Sequence, residues 1–354
     1  MAKRLHKLQE EMKQRSMEAL LVTHPVNRRY LSGFDGSNGV LLIGAEEALL
    51  FTDFRYREQA AAQAPLFTLA PWKAQLGEML KPYLEASAYR SLHFEEEQVT
   101  YRLYRNLQEA LSLELIPQRG LVEELRAVKS GAEVAALRRG AAIMDQAFEV
   151  LLNLARPGLT EREVALELEF YLRRRGSTET KFNYIVASGE RGSLPHGIAS
   201  EKQLRAGELV TVDFTGTFDG YATDMTRTFA LGEPGPRARE IYEIVRRAQQ
   251  EAREKIRAGL TGREADALAR RPIEEAGYGA QFGHGLGHGV GLEVHERPVL
   301  GPLSEETLLP GMVVTVEPGI YLPGEGGVRI EDMVLLTEGG AESLTRCPRE
   351  LITI

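Results

Sequence analysis

Thiol is almost absent from this chain: Cys347 is the sole cysteine. No intramolecular disulfide can form, and a reducing, cytoplasmic setting is expected. Cys347 lies beside Pro348, where packing is a better expectation than nucleophilic chemistry. A Gly-x-Ser-x-Gly elbow is missing as well, so nothing supports a covalent acyl intermediate. There is no run of about 18 apolar residues, which excludes a helical membrane span. The opening Met-Ala-Lys-Arg-Leu-His-Lys leads into a charged amphipathic stretch with Leu5, Leu8 and Met12, not into the apolar core of a secretory signal. Basic patches and aromatic-basic runs are also missing, so no nucleic-acid partner is expected.

What is present is acid, unevenly placed. The net charge is −8, yet residues 1–120 hold 15 Lys+Arg and 15 Asp+Glu, so the whole excess lies beyond residue 120. Solvated helical Glu accounts for most such excesses; a cation-binding half would show the same imbalance. A chain of 354 residues suggests about two domains, and a hydrophobic content of 43% is ample for two cores.

Residues 1–120 alternate short apolar strands (19–23, 39–43, 48–52) with helical patterns (59–64, 76–84, 101–111), which predicts a small α/β domain. The segment Ser32-Gly33-Phe34-Asp35-Gly36-Ser37-Asn38-Gly39 is a turn-rich loop. A boundary is placed at Ile116-Pro117-Gln118-Arg119-Gly120, giving domains 1–120 and 121–354. Beyond it, Ser130 and Glu133 have capping-box spacing. Helices are predicted near 131–156, 160–175, 236–257 and 261–276, and strands near 183–188, 209–215, 222–230, 312–317 and 327–336. Pro157-Gly158-Leu159-Thr160 and Ala258-Gly259-Leu260-Thr261 each end one helix and start another, which hints at an internal duplication.

Four carboxylates and a histidine carry the chemistry. Asp213 closes the alternating run Leu209-Val210-Thr211-Val212, and Asp224 follows a turn expected over 216–220, so a hairpin can bring both to one face. Two such carboxylates repel unless a cation sits between them; the plainer reading is a strand-end Asp and a solvated one. Glu317 ends the apolar run Val313-Val314-Thr315-Val316, just before Pro318-Gly319, and a buried carboxylate needs a partner. Glu331 is expected to share a strand face with Arg329, where a salt bridge between the two is the plainer reading. Of seven histidines, four lie beyond residue 120: His196, His284, His288 and His295. Glycines interleave His284 and His288, so backbone can approach a site closely there. Oxygen ligands with one nitrogen suit Mn²⁺, Co²⁺ or Zn²⁺, and two such ions about 3.5–4 Å apart can activate a water between them.

Residues from about 125 onward resemble the pita-bread metallopeptidases, a family that includes methionine aminopeptidase, aminopeptidase P, prolidase and creatinase. The ordered set Asp213, Asp224, His288, Glu317, Glu331 matches that family's metal ligands in type, order and context. Ser193-Leu194-Pro195-His196-Gly197, Gly287-His288-Gly289-Val290-Gly291, Val294-His295-Glu296, Glu317-Pro318-Gly319-Ile320-Tyr321 and Gly327-Val328-Arg329-Ile330-Glu331-Asp332 look like its Xaa-Pro peptidase branch. Asn27-Arg28-Arg29-Tyr30-Leu31-Ser32-Gly33-Phe34 is similar to the cap domain of that branch. The implied fold is an α/β N-terminal cap domain plus an α+β pita-bread (creatinase/aminopeptidase) catalytic domain.

The resemblance implies two divalent ions per chain, Mn²⁺ first among them, and peptide substrates with proline at the second position. It also implies Glu317 as the group that helps deprotonate the water. His196 and His295 would hold the scissile carbonyl and the tetrahedral intermediate, and His284, Tyr321 and Arg329 would line the substrate pocket. A homodimer is expected, with the loop Asp35-Gly36-Ser37-Asn38-Gly39 as the candidate contact to a neighbour's site. The complete ligand set disfavours a creatinase-like amidinohydrolase and a non-catalytic binding protein, and the cap disfavours methionine aminopeptidase. One departure matters. Dipeptide-specific prolidases often carry Arg four residues after the histidine matching His295, and here Val299 stands there. Losing that clamp removes a charge-assisted contact of about 1.5–3 kcal/mol for free dipeptides. The expectation is therefore an Xaa-Pro aminopeptidase, with an Xaa-Pro dipeptidase as the alternative.

Overall fold

The computed structural model describes residues 1–179 and 184–354. The chain separates into two compact units, Met1–Arg126 and Ala127–Ile354. The first runs α1 (Ala2–Gln14), β1 (Ala19–Val22), α2 (Pro25–Ser32), β2 (Val40–Gly44), β3 (Ala48–Thr52), α3 (Arg57–Gln63), β4 (Thr68–Pro71), α4 (Leu76–Ala86), β5 (Ser91–Glu95), α5 (Tyr101–Ala110), β6 (Glu114–Gln118) and α6 (Leu121–Ala127). Its sheet has the order β4-β3-β2-β1-β5-β6. The three strands and three helices expected here are present, within a few residues at their ends.

Three more strands complete the sheet. The two outer ones carry prolines, Pro71 in β4 and Pro117 in β6. An edge strand tolerates a residue that donates no ladder bond, which is why Ile116-Pro117 reads as a break and folds as a strand. Helix α2 begins with Pro25 and ends at Gly33 with φ 83°, a start and stop too close together for periodicity to register. The loop 35–39 is tied down within its own unit: Arg28 donates to the carbonyls of Gly36 and Gly39, and Asn38 donates to Asp53.

The second unit runs α7 (Gly131–Leu154), α8 (Glu161–Arg174), β7 (Ile185–Ser188), β8 (Leu209–Phe218), β9 (Tyr221–Ala230), α9 (Pro236–Lys255), α10 (Gly262–Glu275), β10 (Gly287–Gly289), β11 (Glu296–Leu300), β12 (Val313–Val316), β13 (Gly319–Leu322), β14 (Gly326–Arg329), β15 (Asp332–Thr337) and β16 (Gly340–Ser343). The strand expected near 183–188 is β7; residue 183 lies outside the described residues. Its sheets are β7-β8-β9, β11-β10-β12-β15-β16 and the hairpin β13-β14.

The duplication hinted at by the helix junctions extends into the backbone. Thr160 with Glu163 and Thr261 with Glu264 form the same capping box. Gly158 donates to Leu204 O and Glu161 to Lys202 O; in the other half Gly259 donates to Leu308 O and Gly262 to Glu306 O. Each helix pair then covers the apolar face of its own strands. Phe148, Leu151, Val164 and Leu168 pack on Val210, Val212, Phe214 and Met225. Val245, Ala248, Ala269 and Ile273 pack in one cluster with Val314, Val316, Ile330 and Val334. At about 1.5–3 kcal/mol for each fully buried Val, Leu or Phe, these faces hold the strands down and leave the opposite faces free to carry polar groups.

Candidate metal centre

A two-residue turn sets the first pair of carboxylates. Asp219 and Gly220 both have positive φ, 51° and 78°, the geometry of the tightest hairpins. It fixes the register Phe218↔Tyr221, hence Thr215↔Asp224 and Asp213↔Thr226. By the two-residue period, Asp213, Thr215, Asp224 and Thr226 project from one face, and Val212 and Phe214 from the other. The turn is therefore shorter than the five residues expected, and Asp213 lies mid-strand in Leu209–Phe218. The polar face made the strand read as finished at Asp213.

Strands β10 and β12 bring in the imidazole and the third carboxylate. A Cβ on Gly287 would meet Thr315 O at 2.2 Å, and one on Gly289 would meet Arg297 O at 2.1 Å. These glycines let β10 squeeze between β11 and β12, so the close approach is to neighbouring strands. His288 stands between them. Its Nδ1 faces Gly289 O at 3.1 Å, which assigns the proton there and turns Nε2 toward Glu317 Oε1 at 3.2 Å and Asp224 Oδ2 at 3.7 Å. Thr315 Oγ1 donates to Glu317 Oε1 and accepts from His288 N.

Glu331 arrives by a route the sequence hides. The single strand expected over 327–336 is two strands in different sheets, β14 and β15, with Ile330 and Glu331 between them. Glu331 N donates to Thr226 O, and Thr226 Oγ1 donates to Glu331 Oε2 at 2.8 Å. Arg329 does not pair with Glu331. It donates to Asp213 Oδ2 at 2.7 Å, to the Tyr321 hydroxyl at 2.9 Å, to Pro195 O at 3.1 Å and to Thr226 Oγ1 at 3.1 Å.

Ligand atoms of Asp224, His288 and Glu331 all lie within 4.8 Å of one another. Glu317 joins through His288, and Asp213 raises the pKa of Asp224 by its charge. All five residues singled out in the sequence thus converge. Burial, then like charge, pushes Asp224 and Glu331 well above the ordinary carboxylate range. Burial pushes His288 down, but Glu317 and Asp224 more than offset it and hold the imidazole at about 9. Asp224 Oδ1 and Glu331 Oε1 are buried with no hydrogen-bond partner among the described residues. Buried orphan oxygens at about 1–3 kcal/mol each, in a field negative enough to raise a buried imidazole, fit a divalent cation. The residues present therefore suit the metal expected of them.

Around this core, Arg329 donates to Tyr321 Oη, which lies 2.9 Å from His284 Nε2, while His284 Nδ1 faces Gly285 O at 2.8 Å. The partners make His284 the Nδ1–H tautomer, with Tyr321 donating to it. Burial pushes His284 down. The His295 ring lies against that of His288, centroids 4.2 Å apart and planes tilted by 52°, and its pKa is pushed down by partial burial and then by His288. His196 is exposed. A cavity of about 420 Å³ adjoins His295, and its lining also includes Tyr184, Asp213 and Glu293 but not His196, His284, Tyr321 or Arg329. Val299 is 56% exposed and pairs across the ladder with His288.

Thr226 and Thr315 were not anticipated. For Thr315 a signal was available in the repeat: Val210-Thr211-Val212-Asp213 and Val314-Thr315-Val316-Glu317 are the same phrase, and Thr226 lies outside it.

A family model described as Metallopeptidase family M24 matches residues 135–338, and one described as Creatinase/Prolidase N-terminal domain matches residues 4–128. The chain is 37% identical to an Xaa-Pro dipeptidase of Pyrococcus furiosus over 99% of its own length and 100% of the relative's. It superposes on the structure of an Xaa-Pro dipeptidase from Bacillus anthracis with a TM-score of 0.97 and 46% identity, covering 100% of this chain and 99% of that one. It superposes on an X-Pro aminopeptidase from Thermotoga maritima with a TM-score of 0.91 and 36% identity, covering 99% of each.

Proposed function

The chain belongs to metallopeptidase family M24, and we propose that within it the protein is a metal-dependent Xaa-Pro dipeptidase. The observation that carries the chemistry is the pair of buried orphan oxygens, Asp224 Oδ1 and Glu331 Oε1, beside His288. The choice of a dipeptide rests on likeness, along essentially the whole chain, to proteins named Xaa-Pro dipeptidase. It moves the reading away from the aminopeptidase that Val299 suggested.

Asp213, Asp224, His288, Glu317 and Glu331 would hold two divalent cations, Mn²⁺ foremost with Co²⁺ and Zn²⁺ fitting the same donors, and these supply Lewis acidity and a water nucleophilic at neutral pH. Glu317 takes the proton from that water: burial pushes its carboxyl up, but the His288 contacts more than offset this and keep it ionised. Thr315 Oγ1 orients it. His295 is kept neutral and donates an N–H to the oxygen where charge develops, with His196 beside it. The water oxygen would bond to the scissile carbonyl carbon, and as the C–N bond then breaks Glu317 returns the proton to the proline nitrogen, which leaves as the free amine. Arg329 and Tyr321 act from behind, orienting Asp213 and His284. A homodimer in a reducing cytoplasm is part of this reading.

The second reading, an Xaa-Pro aminopeptidase, keeps the same chemistry and is favoured by Val299 at the position of the dipeptide clamp. The deciding measurement is kcat/KM for Xaa-Pro against Xaa-Pro-Yaa with added Mn²⁺. Preference for the dipeptide supports the proposal; preference for the tripeptide replaces it with the second reading; cleavage of neither under any of the three metals overturns both.

A further inference from the structure

Arg227 is among the largest fully buried side chains of the protein, with its side chain 1% exposed. It projects from β9 on the side opposite Asp224 and Thr226, away from the metal-ligand face. All five of its N–H groups are used. Nε donates to Pro348 O at 3.0 Å. One terminal nitrogen donates to Thr226 O and to Glu331 O. The other donates to Asp332 Oδ1 at 2.7 Å and to Cys347 O at 3.1 Å. Asp332 is in turn fixed by Gln249, Thr345 and Arg349.

Two of those acceptors matter for the centre. Thr226 and Glu331 are already joined on the ligand side, by Glu331 N to Thr226 O and by Thr226 Oγ1 to Glu331 Oε2. The same two residues are joined from behind by the guanidinium that bridges their carbonyls. Glu331 lies between strands, so no ladder of its own strand holds it. We propose that Arg227 is a positioning residue for the metal centre: it clamps the backbone at Glu331 against β9 and so fixes how far the Glu331 carboxylate stands from Asp224. The same clamp ties the 345–349 segment to the site. Only a planar fork with five donors can serve these five acceptors; a lysine ammonium has three donors at one point.

The inference rests on the metallopeptidase reading, and the test separates the two. Mn²⁺ binding to chelator-stripped protein is measured by calorimetry, alongside the thermal midpoint, for wild type, Arg227→Lys and Leu168→Ala. Leu168 projects from α8 into the core, and its truncation lowers stability without touching the clamp. Arg227→Lys is expected to weaken Mn²⁺ binding roughly 10–100-fold, the usual effect of losing a partner behind the ligands, while Leu168→Ala keeps wild-type affinity. If Arg227→Lys is not recovered folded, Asp332→Asn, which removes the charge that anchors the guanidinium but keeps the side-chain shape, takes its place with the same direction expected. Wild-type affinity in the folded clamp variant, or an equal loss in Leu168→Ala, overturns the proposal. Failure of the wild type to bind Mn²⁺ overturns the metal reading beneath it.

Discussion

Arg329 holds Asp213 Oδ2 at 2.7 Å from one terminal nitrogen while the other reaches the Tyr321 hydroxyl and Pro195 O. A single buried guanidinium thus ties Asp213, one of the proposed metal ligands, to the segment that carries His196. Burial pushes the Arg329 pKa down, but Tyr321, Asp213 and Glu317 more than offset it, so the group is charged at every working pH.

Arg329→Met should therefore lower kcat/KM roughly 10–100-fold, the range seen when a partner of a metal ligand is removed. Arg329→Lys should recover only part of this, because a point charge cannot span four acceptors. Steady-state kinetics on an Xaa-Pro dipeptide with saturating Mn²⁺ checks it. Wild-type kcat/KM in the Met variant would mean that Asp213 is held by other contacts.

Neutralising Glu331 should separate stability from function. Its folded pKa is raised, by burial and then by Asp224 and Glu317, so the ionised form opposes folding once pH exceeds the unfolded value near 4. In chelator-stripped protein Glu331→Gln should then raise the thermal midpoint at pH 7, by the equivalent of about 1–3 kcal/mol for relieving a buried unsatisfied acceptor. With Mn²⁺ present at about 1,000 times its Kd the order should reverse, since the ligand then stabilises the wild type by about 4.1 kcal/mol. Thermal melts with and without EDTA read both signs. A variant less stable than wild type under both conditions would mean that Glu331 is not strained.

Asp332 should report acid unfolding in a different window. Burial pushes its carboxyl up, and Arg227 and Arg349 more than offset this, holding it at about 2 against an ordinary value of 3.8. A lowered folded pKa contributes stability that is fully present above pH 4 and is lost as pH falls toward 2, roughly 2–3 kcal/mol in all. Asp332→Asn should flatten the stability curve between pH 4 and pH 2. It should also cost about 3–5 kcal/mol at pH 7, because Arg227 is left buried and uncompensated. Urea melts across that range measure both. An unchanged acid limb would assign the acid sensitivity to other carboxylates.

The convergence of Asp213, Asp224, His288, Glu317 and Glu331 was readable because each sits on or beside a short apolar segment, where a charged side chain needs a partner. What could not be read was where strands stop. Asp213 appeared terminal because Thr211, Asp213, Thr215 and Thr217 share one face and lower the apparent hydrophobicity of a strand that continues to Phe218. Residues 327–336 appeared continuous because the break at Ile330-Glu331 contains neither Gly nor Pro; sheet pairing makes it. Edge strands β4 and β6 were hidden by prolines that only an edge accepts. Thr226 and Arg227 carry no signature of their own, since their contacts lie on segments about a hundred residues away in the chain.

The last expectation concerns length selectivity. Val299 stands opposite His288 in an antiparallel pair, so the two side chains leave the same face of the sheet, and Val299 is exposed there. A cation at this position would meet the C-terminal carboxylate of a bound dipeptide and find no such charge next to proline in a longer peptide. A charge-assisted contact contributes about 1.5–3 kcal/mol, which corresponds to roughly 10–150-fold in the ratio of kcat/KM for Xaa-Pro over Xaa-Pro-Yaa. Val299→Arg should raise that ratio chiefly through KM for the dipeptide, because the contact is made equally in the ground and transition states. Val299 lies on the solvent-facing edge strand β11, so the thermal midpoint should barely move. An unchanged ratio in a folded Val299→Arg variant would mean that the substrate carboxylate lies elsewhere, and that the valine carries no information about peptide length.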